Sequence, residues 1–206
     1  MKCSEICALI EQEYGTEYAC DWDNVGLLAG RSTKEVKKIL LSLDATDEVV
    51  RMAAEGGYDM LITHHPMLFS AIKRVTDQDM NGRRLLELIR NDISYYAMHT
   101  NYDTRGMADL AARLMGLTEC AVLEEVKDGE GIGRVGKLPH PMTLRECGEQ
   151  VKVAYGIPNV RLFGDPDTQV SLVGICPGAG KSTMPLALGF GCDVYITGDI
   201  DHHTGI

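Results

Sequence analysis

The chain has 206 residues, 45% of them hydrophobic, with 30 acidic against 20 basic side chains and a formal net charge of −10. That length buries one good core or two small lobes sharing a face, and the acidic balance argues against non-specific nucleic-acid binding, which needs a basic surface. No apolar run is long enough to span a bilayer, and Met1-Lys2-Cys3-Ser4-Glu5 lacks the apolar heart of a signal peptide, so a cytoplasmic protein without a membrane partner is expected.

Residues 4–14 carry apolar side chains at helical spacing, with Gly15 as a stop. The seven cysteines include no C-x-x-C pair, and Cys3 and Cys7 share one side of this helix, as reduced core residues would. Residues 37–43 read as a buried strand, and Thr46 or Asp47 caps a helix that Gly56-Gly57 ends. With a second strand at 59–63 this is a β–α–β unit, which implies parallel pairing. The alternation goes on with a helix at 82–90, a strand at 93–97 and a helix at 107–115. The glycine-rich stretch 129–136 is either a turn between lobes or a hairpin; as a junction it divides the chain into lobes 1–128 and 129–206. A helix at 143–155, a strand at 170–176, a short helix at 182–188 and a strand at 193–197 complete a layered α/β pattern.

Two segments echo each other. Gly57-Tyr58-Asp59-Met60-Leu61-Ile62-Thr63 leads directly into His64-His65, and Gly191-Cys192-Asp193-Val194-Tyr195-Ile196-Thr197 leads after four residues into His202-His203. The echo suggests an internal duplication with both histidine pairs near strand C-termini, where open α/β sheets bind ligands.

His64-His65-Pro66 stands out because neighbours within a strand point to opposite faces. Pro66 ends the strand, so each imidazole can serve one ion of a close metal pair; the bland alternative is a surface pair bonded to nearby backbone. His99-Thr100-Asn101-Tyr102-Asp103 supplies an imidazole, an amide and a carboxylate at a second strand end. Asp103 suits direct metal ligation and His99 suits orienting a ligand or moving a proton, although an Asx-turn with a helix cap explains the segment equally well. Together the two segments favour a metal site at His64, His65 and Asp103. Asp21-Trp22-Asp23-Asn24-Val25-Gly26-Leu27 either lines a substrate pocket or anchors a loop on a buried tryptophan, the latter being the safer reading. Gly178-Ala179-Gly180-Lys181-Ser182-Thr183 resembles a phosphate-binding P-loop, but the required first glycine falls on Ile175, so a strand-to-helix turn is expected.

These motifs resemble, in the same order and over nearly the whole chain, those of the GTP cyclohydrolase 1 type 2 homolog family, also called NIF-three-like proteins. The resemblance implies two similar α/β lobes with mixed sheets, and two divalent metal ions per subunit held in part by His64, His65 and Asp103. Zinc, iron, manganese or nickel would suit such ligands. It also implies homo-oligomeric assembly, commonly a hexameric ring, and metal-dependent hydrolysis of a small nucleotide-like or heterocyclic substrate. The alternative is a non-catalytic, metal-binding regulatory or scaffold assembly. The family's remaining ligands come from a later Gly-His segment followed by Glu, which does not occur before Ile206, so weak metal binding is expected of these 206 residues alone.

Overall fold

The computed structural model describes residues 1–205, and Ile206 lies outside them. Contacts within the chain divide it into two compact units, Met1–Tyr102 and Asp103–Ile206.

The first unit opens with helix α1 (Cys3–Glu13) and strand β1 (Gly26–Ala29). Strand β2 (Ile39–Ser42), helix α2 (Asp47–Glu55) and strand β3 (Met60–Thr63) follow, then helix α3 (Met80–Arg90) and strand β4 (Ser94–Ala97). The strands form a mixed sheet in the order β1-β4-β3-β2, with β2, β3 and β4 parallel and β1 antiparallel to β4. Every residue of β3 and β4 is buried, because the sheet is covered on both faces. Met60, Ile62 and Tyr96 pack with Cys3 and Cys7 of α1. Leu61, Tyr95 and Ala97 point the other way, onto Val50 and Ala53 of α2 and Leu85 and Leu88 of α3. Local signals set the helix starts: the Thr46 side chain accepts from Val49 N–H and the Asp79 side chain from Gly82 N–H.

The second unit begins inside a continuous helical run. Helix α4 (Thr100–Tyr102) closes the first unit, a π-helical turn (Asp103–Met107) opens the second, and helix α5 (Ala108–Leu114) continues it. Strands β5 (Thr118–Lys127) and β6 (Glu130–Thr143), helix α6 (Leu144–Tyr155), strand β7 (Gln169–Cys176), helix α7 (Met184–Gly189) and strand β8 (Val194–Thr197) complete it. The sheet order is β5-β6-β7-β8, with only β7 and β8 parallel. Val173 and Ile175 face Ala111, Met115, Cys147 and Val151 of α5 and α6, and Cys176 faces Ala187 of α7.

The expected duplication is visible at the start of β3 and of β8. Asp59 N–H donates to Lys38 O (2.8 Å), and Asp59 Oδ2 accepts from Lys37 N–H and Lys38 N–H (2.8 and 3.0 Å). Asp193 N–H donates to Leu172 O (2.9 Å), and Asp193 Oδ2 accepts from Ser171 N–H and Leu172 N–H (2.8 and 2.9 Å). In both units one aspartate ties the entry of a strand to the parallel strand preceding it.

The stretch 129–136 is a hairpin. Asp128 and Gly129 both have positive φ (52° and 79°) and Lys127 pairs with Glu130, which is the two-residue turn that matches strand twist. The glycines beyond it lie within β6; a Cβ on Gly131 would fall 1.9 Å from Glu124 O. The units therefore separate at Tyr102/Asp103 and not at 128/129, because β5 pairs with β6 across that turn. Among the described residues no helix is long and apolar enough to cross a membrane.

Candidate metal centre

Strands β3 and β4 are parallel neighbours, with Thr63 opposite Ala97, so the segments leaving their C-terminal ends emerge side by side. His64 and His65 follow the first and His99 the second. The ring centroids lie 4.9 Å (His64 to His65), 5.0 Å (His64 to His99) and 5.6 Å (His65 to His99) apart. A potential ligand atom from each of the three lies within 4.8 Å of the others. The strand ends at Thr63 before Pro66, which frees the two adjacent imidazoles from the alternation that would send them to opposite faces.

Each ring is held through Nδ1. His64 Nδ1–H donates to Met98 O (3.1 Å), His65 Nδ1–H to Asp44 Oδ1 (2.8 Å) and His99 Nδ1–H to both carboxylate oxygens of Asp23 (3.0 Å each). These oxygens can only accept, so each Nδ1 is a donor, and an imidazole carrying a single proton then has its lone pair on Nε2. Orientation of a ligating imidazole by an oxygen on its other nitrogen is the usual support of a metal site.

Asp23 is the best-held group here. Its side chain has no solvent exposure and also accepts from Thr100 N–H (3.0 Å), Thr100 Oγ1–H (2.5 Å) and Asn24 N–H (2.8 Å). Burial alone would raise its pKa, but the donors of His99, Thr100 and Asn24 outweigh that and hold it near 2. His64 is pushed down to about 4, first by burial and then by the neighbouring His99 and His65 rings, so it is neutral near pH 7.

A second set of bonds fixes the backbone beneath His65. The buried Tyr95 hydroxyl accepts from Met67 N–H (2.7 Å), lies 2.8 Å from Thr63 Oγ1 and donates to His65 O (3.3 Å), while Thr63 Oγ1–H also donates to His65 O (2.8 Å). The turn carrying the histidine pair is thus pinned from inside the sheet.

The sequence reading set His99 apart as an orienting residue; the structure instead puts its ring with those of His64 and His65. Asp103, the third expected ligand, is the first residue of the π-helical turn, in the helical run that begins at Thr100, one residue after His99. His202 and His203 lie in the second unit beyond β8, exposed, with rings 5.6 Å apart. Among the described residues, His64, His65 and His99 form the group of three suited to a metal. Asp23, Asp44 and Tyr95 were missed by sequence reasoning; only the position of Asp23 beside Trp22 in a polar loop hinted at a role.

Trp22 is not a buried anchor. It is 59% exposed and rests against Phe69, itself 51% exposed, with centroids 5.6 Å apart. The glycine loop is closed on itself, as expected of a turn: Gly180 N–H donates to Thr197 Oγ1 (3.0 Å), Gly180 O accepts from the Tyr195 hydroxyl (2.6 Å), and Lys181 pairs with Asp201 (2.6 Å). Gly180 N–H and the Lys181 ammonium, two of the donors a P-loop would turn to phosphate, are thus engaged within the protein.

The whole chain, residues 1–206, matches the family described as Duf34/NIF3 (NGG1p interacting factor 3). It is 35% identical to the GTP cyclohydrolase 1 type 2 homolog of Clostridium perfringens, over 98% of this chain and 79% of that protein. It is 32% identical to NIF3-like protein 1 of Drosophila melanogaster, over 98% and 70% respectively. Among solved structures it is similar to a Staphylococcus aureus hypothetical protein (TM-score 0.87, 30% identity, 100% of this chain and 81% of that one). A Bacillus cereus protein related to NIF3 shares the fold (TM-score 0.92, 24% identity, 100% and 84%). With the three imidazoles and their supports at the ends of β3 and β4, this chain belongs to the Duf34/NIF3 family.

Proposed function

We propose that the chain binds divalent metal through His64, His65 and His99, with Asp103 completing a two-ion centre that serves a hydrolase. The observation that carries this reading is the common tautomer: three imidazoles give Nδ1–H to oxygen acceptors and so present Nε2 lone pairs from one small cluster. Imidazole with carboxylate, and no thiolate among the ligands, suits zinc, iron, manganese or nickel. Asp103 joins the proposal because it opens the π-helical turn of the helical run that starts directly after His99, and π-helical turns recur at functional sites.

When bound, a divalent ion supplies a Lewis acid that acidifies water near neutral pH and polarises the bond under attack. The protein's own part is positioning. Asp23 holds His99, Asp44 holds His65, Met98 O holds His64, and Tyr95 fixes the turn beneath them. The substrate class that fits the names of the relatives is nucleotide-like or heterocyclic. The same family reading extends to a homo-oligomer, such as a hexameric ring, which sedimentation would test.

Equilibrium dialysis against zinc and manganese tests the centre. His64→Ala is expected to abolish metal binding, and Asp103→Ala to lower the metal bound per chain with unchanged circular dichroism. Unchanged metal content in Asp103→Ala would remove that residue from the ligand set. Hydrolysis of a nucleotide panel, lost on adding chelator, would support the enzyme; metal binding without turnover would favour a regulatory or scaffold role.

A further inference from the structure

We infer that Trp22 and Phe69 form a stacking platform that receives a flat, unsaturated ring of the ligand and sets its edge toward the histidine cluster. The inference rests on the proposed metal site and names the part of the ligand that lies beside it.

Two large aromatic side chains, each more than half exposed, sit together where burial does not explain them. Trp22 lies 6.1 Å and Phe69 6.4 Å from the His99 ring, whose plane stands at 71° and 68° to theirs. The imidazole therefore rises like a wall at the side of the platform. The Trp22 and Phe69 rings are inclined by only 37° at 5.6 Å. That spacing leaves no slot for a third ring between them, but it makes one broad apolar surface on which a ring can lie.

The chain beside each aromatic is tied down. Asp23, next to Trp22, takes bonds from His99, Thr100 and Asn24. The Asn24 amide donates to Leu68 O (2.5 Å), tying the tryptophan loop to the residue before Phe69. Met67 and Leu68 are themselves buried in the core of the first unit. Exposed aromatics fixed in this way lose little entropy on binding, as a preorganised recognition surface requires. Every planar heterocycle offers a π-face to such a surface, and the quadrupoles favour offset stacking.

Trp22 is the only tryptophan in the chain, so its fluorescence reports the platform alone. The full chain, with and without zinc, is titrated with guanosine, a pterin and nicotinamide, and with a sugar phosphate that lacks a ring. At least one flat ring is expected to quench Trp22 saturably, and the sugar phosphate is not. By calorimetry, Phe69→Leu and Trp22→Leu are expected to bind that ring about tenfold more weakly with zinc content unchanged. No quenching by any ring, or the parent's affinity retained in both variants, overturns the platform. So does a change in sedimentation of the variants with ring affinity unaltered, which would make the aromatics an interface between copies. The metal reading is judged separately: zinc bound without ring stacking sinks the platform alone, and Phe69-dependent stacking without zinc binding sinks the metal site alone.

Discussion

Replacing Asp23 by Asn leaves the shape of the side chain intact and removes its charge. Its carboxylate takes hydrogen bonds from His99 Nδ1–H, Thr100 N–H, Thr100 Oγ1–H and Asn24 N–H, all with acceptor-only oxygens. An amide keeps one acceptor and turns an NH2 toward donors, so at least one of these groups loses its partner. The gap between a pKa of about 2 and the ordinary 3.8 corresponds to about 2 kcal/mol of preference for the charged form. Urea unfolding of the metal-free variant near pH 7 should show a loss of that order. The depressed pKa means that this stability is fully present above pH 3.8 and is lost as pH falls toward 2, so the variant and the parent should converge in that range. The second effect is on metal. Without Asp23 the His99 ring can rotate or change tautomer, and loss of such a support typically weakens metal affinity about 10- to 100-fold. Competition with a zinc indicator measures it. Parental zinc affinity in Asp23→Asn would refute the claim that His99 is a ligand held by this carboxylate.

Tyr95→Phe removes the hydroxyl that accepts from Met67 N–H and bonds Thr63 and His65, leaving a buried donor unpaired at a cost of about 1–3 kcal/mol. A thermal melt should show this, together with weaker zinc binding; zinc affinity unmoved would mean that the turn beneath His65 needs no pin. Gly131→Ala places a Cβ about where Glu124 O stands, so the β5–β6 hairpin must open and stability should fall by about 2 kcal/mol or more. Hydrogen exchange should localise that damage to β5 and β6, and a melt identical to the parent's would show that the strands separate freely there.

The parallel strand–helix–strand units were legible because caps, glycine stops and short apolar runs agree. Thr46, Gly56 and the all-buried Met60–Thr63 are examples. The hairpin of β5 and β6 was legible only as one of two readings of the stretch 129–136. Much of β5 is exposed, so its alternation carries no strong apolar signal, and the glycines of β6 look like loop punctuation when they are in fact clearances for the neighbouring strand. The histidine pair announced itself through Pro66 and its place after a strand. The partners that give it a defined chemistry did not, since His99 and Asp23 meet across 76 residues and His65 and Asp44 across 21. Trp22 misled for a related reason: a lone tryptophan in a polar loop reads as an anchor unless one knows that Phe69 lies beside it in the open.

The pairing of β3 with β4 has a consequence for what this site tolerates. Thr63 stands opposite Ala97, and the histidines begin one residue past the first and two past the second. Adjacent strands are spaced by about 4.8 Å whatever their side chains, close to the 5.0 Å between the His64 and His99 rings. The backbone ladder therefore acts as the ruler. Exchanging apolar residues along these strands changes how firmly the ruler is clamped, and leaves its graduations where they were. Adding or deleting one residue between Thr63 and His64, or between Ala97 and His99, moves a ring by a full residue step away from its partners. Length variation at these two exits is thus far more damaging than variation in composition.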